Sequence, residues 1–428
     1  MSSPANFPVP PSDNVMSRVR WWILGLFFFG TTVNYLDRMV MGILASDLQR
    51  TYLIDDKAYG RIGAAFALSY AFGQVLTGRL IDRIGIRLGY GLALAGWSLA
   101  SMLHAVVGSA WGFGIMRGLL GVTESPAYPT AAKGLAEWFP RQKRAYAFGF
   151  VNAGGNMGAI AAAWLVPLIA AKYGWQWSFI VTGGIGMILL LFWVPIYRSP
   201  TEHPKVNAAE LAYIQSDPPE AAVKLSWFTL INSRQAMAFA LGKFLTDSMW
   251  WFYMTWFAKY LNKTYGLNLL QIGLPLVIIY LLADLGSLGG GWMSSAMIKR
   301  GSTVNRARKI AMFVSALAVV PILFAERITT LWPAVLMLGL VTSAHQAFSS
   351  NLYTIVSDMF PRRAVATVAG FGGMWGYVGA SLFQIFVGYS VQTAKNYTAV
   401  FACVAFAYVA AFLVIHLLVP RLEPAKVA

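Results

Sequence analysis

Among the ionisable side chains that stand inside long apolar runs of this chain are Asp37, Arg38, Arg117, Glu124, Lys243, Asp247, Lys259, Asp284 and His345. In hydrocarbon each is costly unless paired or hydrated, so each marks a substrate or ion pathway by default. In Asn34-Tyr35-Leu36-Asp37-Arg38, Tyr35 and Arg38 are three apart and share a helical face, with Asp37 turned away from Tyr35. A planar guanidinium so placed holds a carboxylate through two parallel hydrogen bonds. The alternative is an Asp37–Arg38 arrangement that only orders its own helix. Arg117 and Glu124 are seven apart, two turns, and face the same way. They form either a fixed ion pair or a site where Glu124 carries a proton, because a carboxyl in low dielectric favours its neutral form. Pro126 and Pro129 loosen the backbone just after Glu124, as in helices that line a cavity.

A second group lies past the midpoint. Asp247 follows Lys243 by four residues, the spacing of a pair along one helix. Trp250, Trp251 and Tyr253 either stack on the apolar face of a sugar ring or face lipid. Lys259 is expected to snorkel at a rim. His345, Gln346 and Asn351 supply hydrogen-bonding groups for hydroxyls, and Asn152 and Asn156 are four apart on another apolar run, within reach of the same cavity. A lone membrane histidine is also commonly a structural donor rather than a relay.

These residues need a membrane frame. The chain is 57% hydrophobic and 12% charged, which excludes an ordinary soluble domain. Apolar runs near the 20 residues a span requires recur at 22–44, 58–80, 88–107, 111–135, 146–170, 177–197, 237–261, 271–297, 308–325, 331–357, 365–391 and 397–419. Segments 1–20 and 420–428 read as cytoplasmic tails, 21–197 and 237–419 as two six-helix halves, and 198–236 as a polar linker with a short amphipathic helix near 207–215. The net charge of +16 is concentrated in alternate loops, which by the positive-inside rule puts both termini and the linker in the cytoplasm. It therefore reports topology and attraction to anionic lipid, not nucleic acid. The single cysteine, Cys403, excludes a disulfide framework and a cysteine metal cluster. No catalytic constellation or soluble output module is visible, so neither an enzyme nor a cofactor is expected.

The two halves repeat. Phe139-Pro140-Arg141 recurs as Phe360-Pro361-Arg362, an offset of 360 − 139 = 221. The same offset pairs Gly149 with Gly370, Gly155 with Gly376, Gly158 with Gly379 and Glu124 with His345. Small-residue ladders of this kind let helices cross closely, and repeated halves around a central site are the pattern of secondary transporters.

Gly78-Arg79-Leu80-Ile81-Asp82-Arg83-Ile84-Gly85-Ile86-Arg87 resembles the loop between spans two and three of the major facilitator superfamily, and Arg117 followed by Gly121 is similar to its fourth-span motif. The Asn34–Arg38 run and Thr123-Glu124-Ser125-Pro126-Ala127-Tyr128-Pro129 resemble the anion:cation symporter family. Lys243–Asp247, Trp250–Tyr253, Ala283–Ser287 and Ala344-His345-Gln346 look like its hexuronate transporter branch. The resemblance implies an all-α integral membrane protein of twelve transmembrane helices in two pseudo-symmetric halves, importing a sugar-acid anion with protons. It implies anion recognition at Tyr35, Arg38 and Tyr70 and proton handling at Asp37 and Glu124. Galactonate-type relatives carry a glutamine where this chain has Gly155, so Asn152 or Asn156 is expected to stand in. The resulting expectation is substrate contact at Tyr35, Arg38, Tyr70, Asn152, Asn156, Trp251, His345, Gln346 and Asn351. Proton coupling is expected at Asp37, Glu124 and Arg117, and an inward gate at Asp82, Arg83 and Arg87. The partners implied are a small anion, protons and the bilayer, and the working unit a monomer in a bacterial inner membrane. Rival readings are a carrier of another organic anion (an aldonate, dicarboxylate or aromatic acid) and a non-transporting membrane sensor.

Overall fold

The computed structural model describes residues 16–217 and 230–425. The expected tail over 1–15, the end of the chain at 426–428 and the linker stretch 218–229 lie outside the described residues, as do the side chains of Val75, Thr77, Arg79, Asp82, Arg141, Gln142, Ala145, Arg362, Arg363 and Ala366. Among the described residues the chain forms fourteen α-helices and no strand. In the first half, α1 (Val19–Ile43) and α2 (Ala45–Tyr52) make one span, and α3 (Asp56–Leu103) makes two. There follow α4 (Ala110–Glu124) with α5 (Ala127–Trp138), then α6 (Arg141–Tyr173) and α7 (Trp175–Ile196). The linker contributes α8 (Ala208–Ile214), the amphipathic helix expected there. The second half contains α9 (Arg234–Tyr265), α10 (Leu269–Lys299), α11 (Val304–Val319) extended by a 3-10 turn to Arg327, α12 (Leu331–Met359), α13 (Arg362–Ala394) and α14 (Thr398–Leu418).

Two interruptions follow directly from sequence. Gly85 divides α3 into its two spans with φ +79° and ψ 164°, a region open essentially to glycine alone. Arg87 then donates to the Val194 carbonyl from Nε at 3.2 Å and Nη2 at 2.7 Å, while the Trp193 indole donates to the Arg87 carbonyl at 2.9 Å. The break between α4 and α5 falls at Ser125-Pro126, leaving Glu124 as the last residue of α4. Six spans are long and apolar enough to cross a membrane on their own, those of α6, α7, α10, α11 with its extension, α12 and α14. The others fall short because they line the middle of the bundle. There α1, α4 and α9 carry buried charges, α4 and α5 are short, and α13 is rich in glycine.

In the first half α1 packs along α6 and α7, and α3 along α4 and α7; in the second α9 packs along α13 and α14, and α12 along α10 and α11. The halves meet where α1 touches α9, α3 touches α13 and α6 touches α10. The linker is tied to the first half through Glu210 of α8. It caps the start of α1 by accepting from the Val19 and Arg20 backbone N–H at 3.1 and 3.2 Å and from the Arg20 guanidinium at 3.0 Å, satisfying donors that a helix leaves orphaned at its N-terminus.

The repeat reappears in the fold. Helices α6 and α13 are both 33 residues long, start 221 apart (362 − 141) and end 221 apart (394 − 173). A Cβ at Gly158 would collide with the Thr32 carbonyl of α1, and one at Gly379 with the Phe244 carbonyl of α9. Gly149 and Gly370 face open space. The expected result is that Gly158→Ala and Gly379→Ala each lower the melting temperature of the detergent-purified protein, by the roughly 1–3 kcal/mol that overpacking costs. Gly149→Ala and Gly370→Ala should leave it in place. Equal effects at both pairs would show that the ladder does not set helix spacing.

Candidate functional site

The break after Glu124 brings its carboxylate to α1. Arg38 Nε donates to Glu124 Oε2 at 2.5 Å, with both side chains at most 4% exposed. Arg117 is not the partner of Glu124 that a two-turn spacing suggests. Its Nη2 donates to the backbone carbonyl of Arg38 at 3.0 Å, so it holds the helix turn that presents the guanidinium. Asn34 lies beside the Glu124 carboxyl. Asp37 points the other way, into the first half, accepting from Ser101 Oγ at 2.8 Å. Among the described residues Glu124 Oε1, Asp37 Oδ2 and Asn34 Nδ2 are buried without a hydrogen-bond partner. Buried polar atoms are seldom left so without a reason.

Aromatic rings enclose the guanidinium. Its carbon lies 4.8 Å from the Tyr35 ring centroid, 4.9 Å from Tyr70, 5.6 Å from Phe66 and 5.6 Å from Trp251, distances at which a cation is held by ring faces. Tyr70 of α3 stacks on Tyr377 of α13 at 4.1 Å, so the cage closes across the two halves. The expected Tyr35, Arg38, Tyr70 and Trp251 are thus brought together. Phe66 and Tyr377 were not expected there. Tyr377 is the 221-offset counterpart of Asn156, a signal that the repeat contained.

Other expected residues separate into two groups. Asn156 reaches Asp284 of α10 across the half interface, and exposed Asn152 contacts Tyr128. Tyr128 is 43% exposed although Tyr35, Tyr70 and Tyr353 are neighbours. A side chain with neighbours in both halves and free surface lines a cleft. Tyr353, 38% exposed, sits over the Lys243 ammonium at 4.3 Å, and Lys243 pairs with Asp247 at 2.6 Å, as their spacing suggests. His345 and Asn351 belong to the packing of the second half instead. His345 Nδ1 is 2.7 Å from the Tyr408 hydroxyl, and Asn351 Nδ2 donates to the Gly290 carbonyl at 3.0 Å. Gln346 is half-buried beside them.

Pseudo-symmetry shows what stands in the second half at the positions of Arg38 and Glu124. The ladder contacts relate α1 to α9 by 212 residues (Thr32 to Phe244, Tyr35 to Asp247), which makes Trp250 the counterpart of Arg38. The counterpart of Glu124 is His345. Trp250 and His345 stack at 4.9 Å with 12° between their planes. One half therefore holds an ion pair where the other holds an aromatic stack.

Beyond this level, toward the end of the bundle away from the termini, the halves are closed. The Tyr59 hydroxyl donates to the Thr255 carbonyl at 2.9 Å, and the Ser381 hydroxyl to the Ala64 carbonyl at 3.2 Å. Lys259 pairs with Asp56. Lys259 is only 7% exposed, so it does not snorkel but bridges the halves. At the opposite end Arg83 is exposed and Arg87 joins α7 within its own half; the Asp82 side chain lies outside the described part.

The model of the Major Facilitator Superfamily matches residues 27–384. The hexuronate transporter of Escherichia coli (strain K12) is 30% identical over 382 residues, 88% of each chain. The D-galactonate transporter of Escherichia coli O6:H1 (strain CFT073) is 30% identical over 400 residues, 90% of this chain and 92% of that one. The crystal structure of a D-xylose-proton symporter superposes with a TM-score of 0.76 at 14% identity, covering 95% of this chain and 99% of that chain, which shows the fold. The charge pair at the half interface, the twelve spans and these relatives agree: the chain is a membrane transporter, not an enzyme, and belongs to the Major Facilitator Superfamily, within its anion:cation symporter type.

Proposed function

We propose that the protein imports a sugar-acid anion, most closely a hexuronate such as glucuronate or galacturonate, together with protons. The observation that carries this reading is Arg38, buried in an aromatic cage between the halves and neutralised by Glu124. A substrate carboxylate can take the guanidinium only if Glu124 gives up its charge, because two carboxylates cannot share one cation in low dielectric without a proton. Proton and substrate are then obligatory companions. Tyr35 and Tyr70 offer hydroxyls and Trp251 a ring face to the sugar, with Asn152, Asn156 and Gln346 lining the way.

With substrate on Arg38 and a proton on Glu124, the halves 21–197 and 237–419 rock around the site. After release Glu124 ionises, recaptures Arg38 and permits the empty return. Arg117 keeps Arg38 in register, and Asp37 supplies a second protonation site in the core of the first half. Asp82, Arg83 and Arg87, around the Gly85 break in the middle of α3, serve as the inward gate. The loop charges favour an orientation with both termini in the cytoplasm; the working unit in this reading is a monomer in a bacterial inner membrane.

The test is uptake by proteoliposomes of labelled glucuronate, galacturonate and galactonate with and without an inward proton gradient. A hexuronate should accumulate only with the gradient. Gradient-independent equilibration, or accumulation of none of the three, would overturn the proposal.

A further inference from the structure

At the closed end of the bundle the halves flank an open surface depression of about 490 Å³, separate from the Arg38 cage. Gln49 and Arg50 line it from the first half, Lys259, Asn262 and Lys263 from the second, and Asp56 with Lys259 forms the ion pair that locks the two together. We propose that this depression is an entry site for the carboxylate of an arriving anion, which displaces Asp56 from Lys259 and so unlocks the closed end. The ligand class rests on the sugar-acid reading above; the carboxylate chemistry does not.

Three features support an exchangeable pair. Lys259 repeats the chemistry of Arg38: a buried cation between rings, 5.0 Å from Trp256 and 5.6 Å from Tyr59, neutralised by one carboxylate from another helix. A second carboxylate entering the depression meets the same cation. Asp56 has a partner in reserve, since Gln49 Nε2 donates to its Oδ1 at 3.0 Å, so losing Lys259 does not strand it. The rim cations bond to neutral groups, Arg50 to Asn262 Oδ1 at 3.4 Å and Lys263 to the Lys395 carbonyl at 2.9 Å. Asp55 also lines the depression, so its three cations and two carboxylates leave a net charge of 3 − 2 = +1 to draw anions in. Because Asp56 belongs to α3 and Lys259 to α9, the exchange acts directly on the contact between halves. An anion that binds Lys259 better once Asp56 has left shifts the population toward the opened state.

The test uses the purified full chain in proteoliposomes, with Cys403→Ala and a reporter Ser46→Cys at the wall of the depression. Labelling by a membrane-impermeant maleimide is followed with glucuronate, succinate or uncharged glucose present. Arg38→Ala is included so that occupancy of the central site cannot protect the reporter indirectly. Both carboxylates should slow labelling and glucose should not. Lys259→Gln should weaken protection about tenfold, the size of one lost charge-assisted contact, and Asp56→Asn should strengthen it by freeing Lys259. Lys263→Gln, outside the buried pair, should weaken it to a smaller degree and serves if Lys259→Gln does not fold. Protection by glucose, protection by none of the three, or shifts of the same sign in Lys259→Gln and Asp56→Asn would overturn the entry site. The last outcome would leave a latch without a ligand. Protection by carboxylates without transport of any sugar acid would refute the transport reading alone, while transport without protection would refute the site alone.

Discussion

Replacing Glu124 by glutamine should abolish uphill accumulation while sparing exchange. In proteoliposomes with an inward proton gradient, glucuronate should rise only to its equilibrium level in Glu124→Gln, whereas counterflow from preloaded vesicles should continue within a few-fold of the parent rate. The amide has the shape of the protonated carboxyl and no charge, so Arg38, now without its 2.5 Å partner, is permanently available to a substrate carboxylate. Exchange needs only the loaded carrier. Net uptake needs the empty carrier to return, and there the guanidinium would be buried without a counter-ion. Breaking a buried pair by removing one partner costs about 3–5 kcal/mol, which slows that return by roughly two to four orders of magnitude. Undiminished pH-driven accumulation in Glu124→Gln would show that the proton travels elsewhere, with Asp37 the next group to examine.

How much of this was legible in the sequence depends on the range of the contact. The frame was legible because it is written locally and twice: the Phe-Pro-Arg turn and glycine ladder recur at 221 residues, and α6 and α13 share that offset at both ends. The charged positions were legible because a span tolerates few of them. Their partners were not. Same-face spacing made Arg117 the natural mate of Glu124, yet Glu124 sits 86 residues from the Arg38 it pairs with, and Arg117 is spent on the Arg38 carbonyl. Spacing along a helix fixes which way a side chain faces and is silent about which neighbouring helix it meets. Lys259 fails for the same reason. A lysine near a helix end reads as snorkelling until Asp56, the first residue of α3 and 203 positions away, is brought against it. The Lys243–Asp247 pair, four apart on one helix, was readable because it is local. His345 is an intermediate case: the repeat named it as the counterpart of Glu124, but only packing shows that Tyr408 and Trp250 occupy it.

Removing Arg38 should separate stability from binding. Arg38→Ala is expected to lose detectable glucuronate binding, at least a hundredfold in affinity by isothermal titration, since two hydrogen bonds to a charged group contribute about 1.5–3 kcal/mol each. It should also lower the melting temperature, because Glu124 keeps its burial and loses its cation. Adding Glu124→Gln to Arg38→Ala should restore most of the melting temperature by removing the stranded charge and should restore no binding. Such non-additivity is expected of residues in direct contact. Arg38→Lys keeps the charge inside the ring cage but not the planar fork, so its affinity should fall between the two, roughly tenfold below the parent. If affinity survived in Arg38→Ala, the carboxylate would have to rest on another cation. Lys243, paired with Asp247 under Tyr353 and facing the same cleft, would then be the group to test, because among the described residues it is a further buried cation beside that cleft.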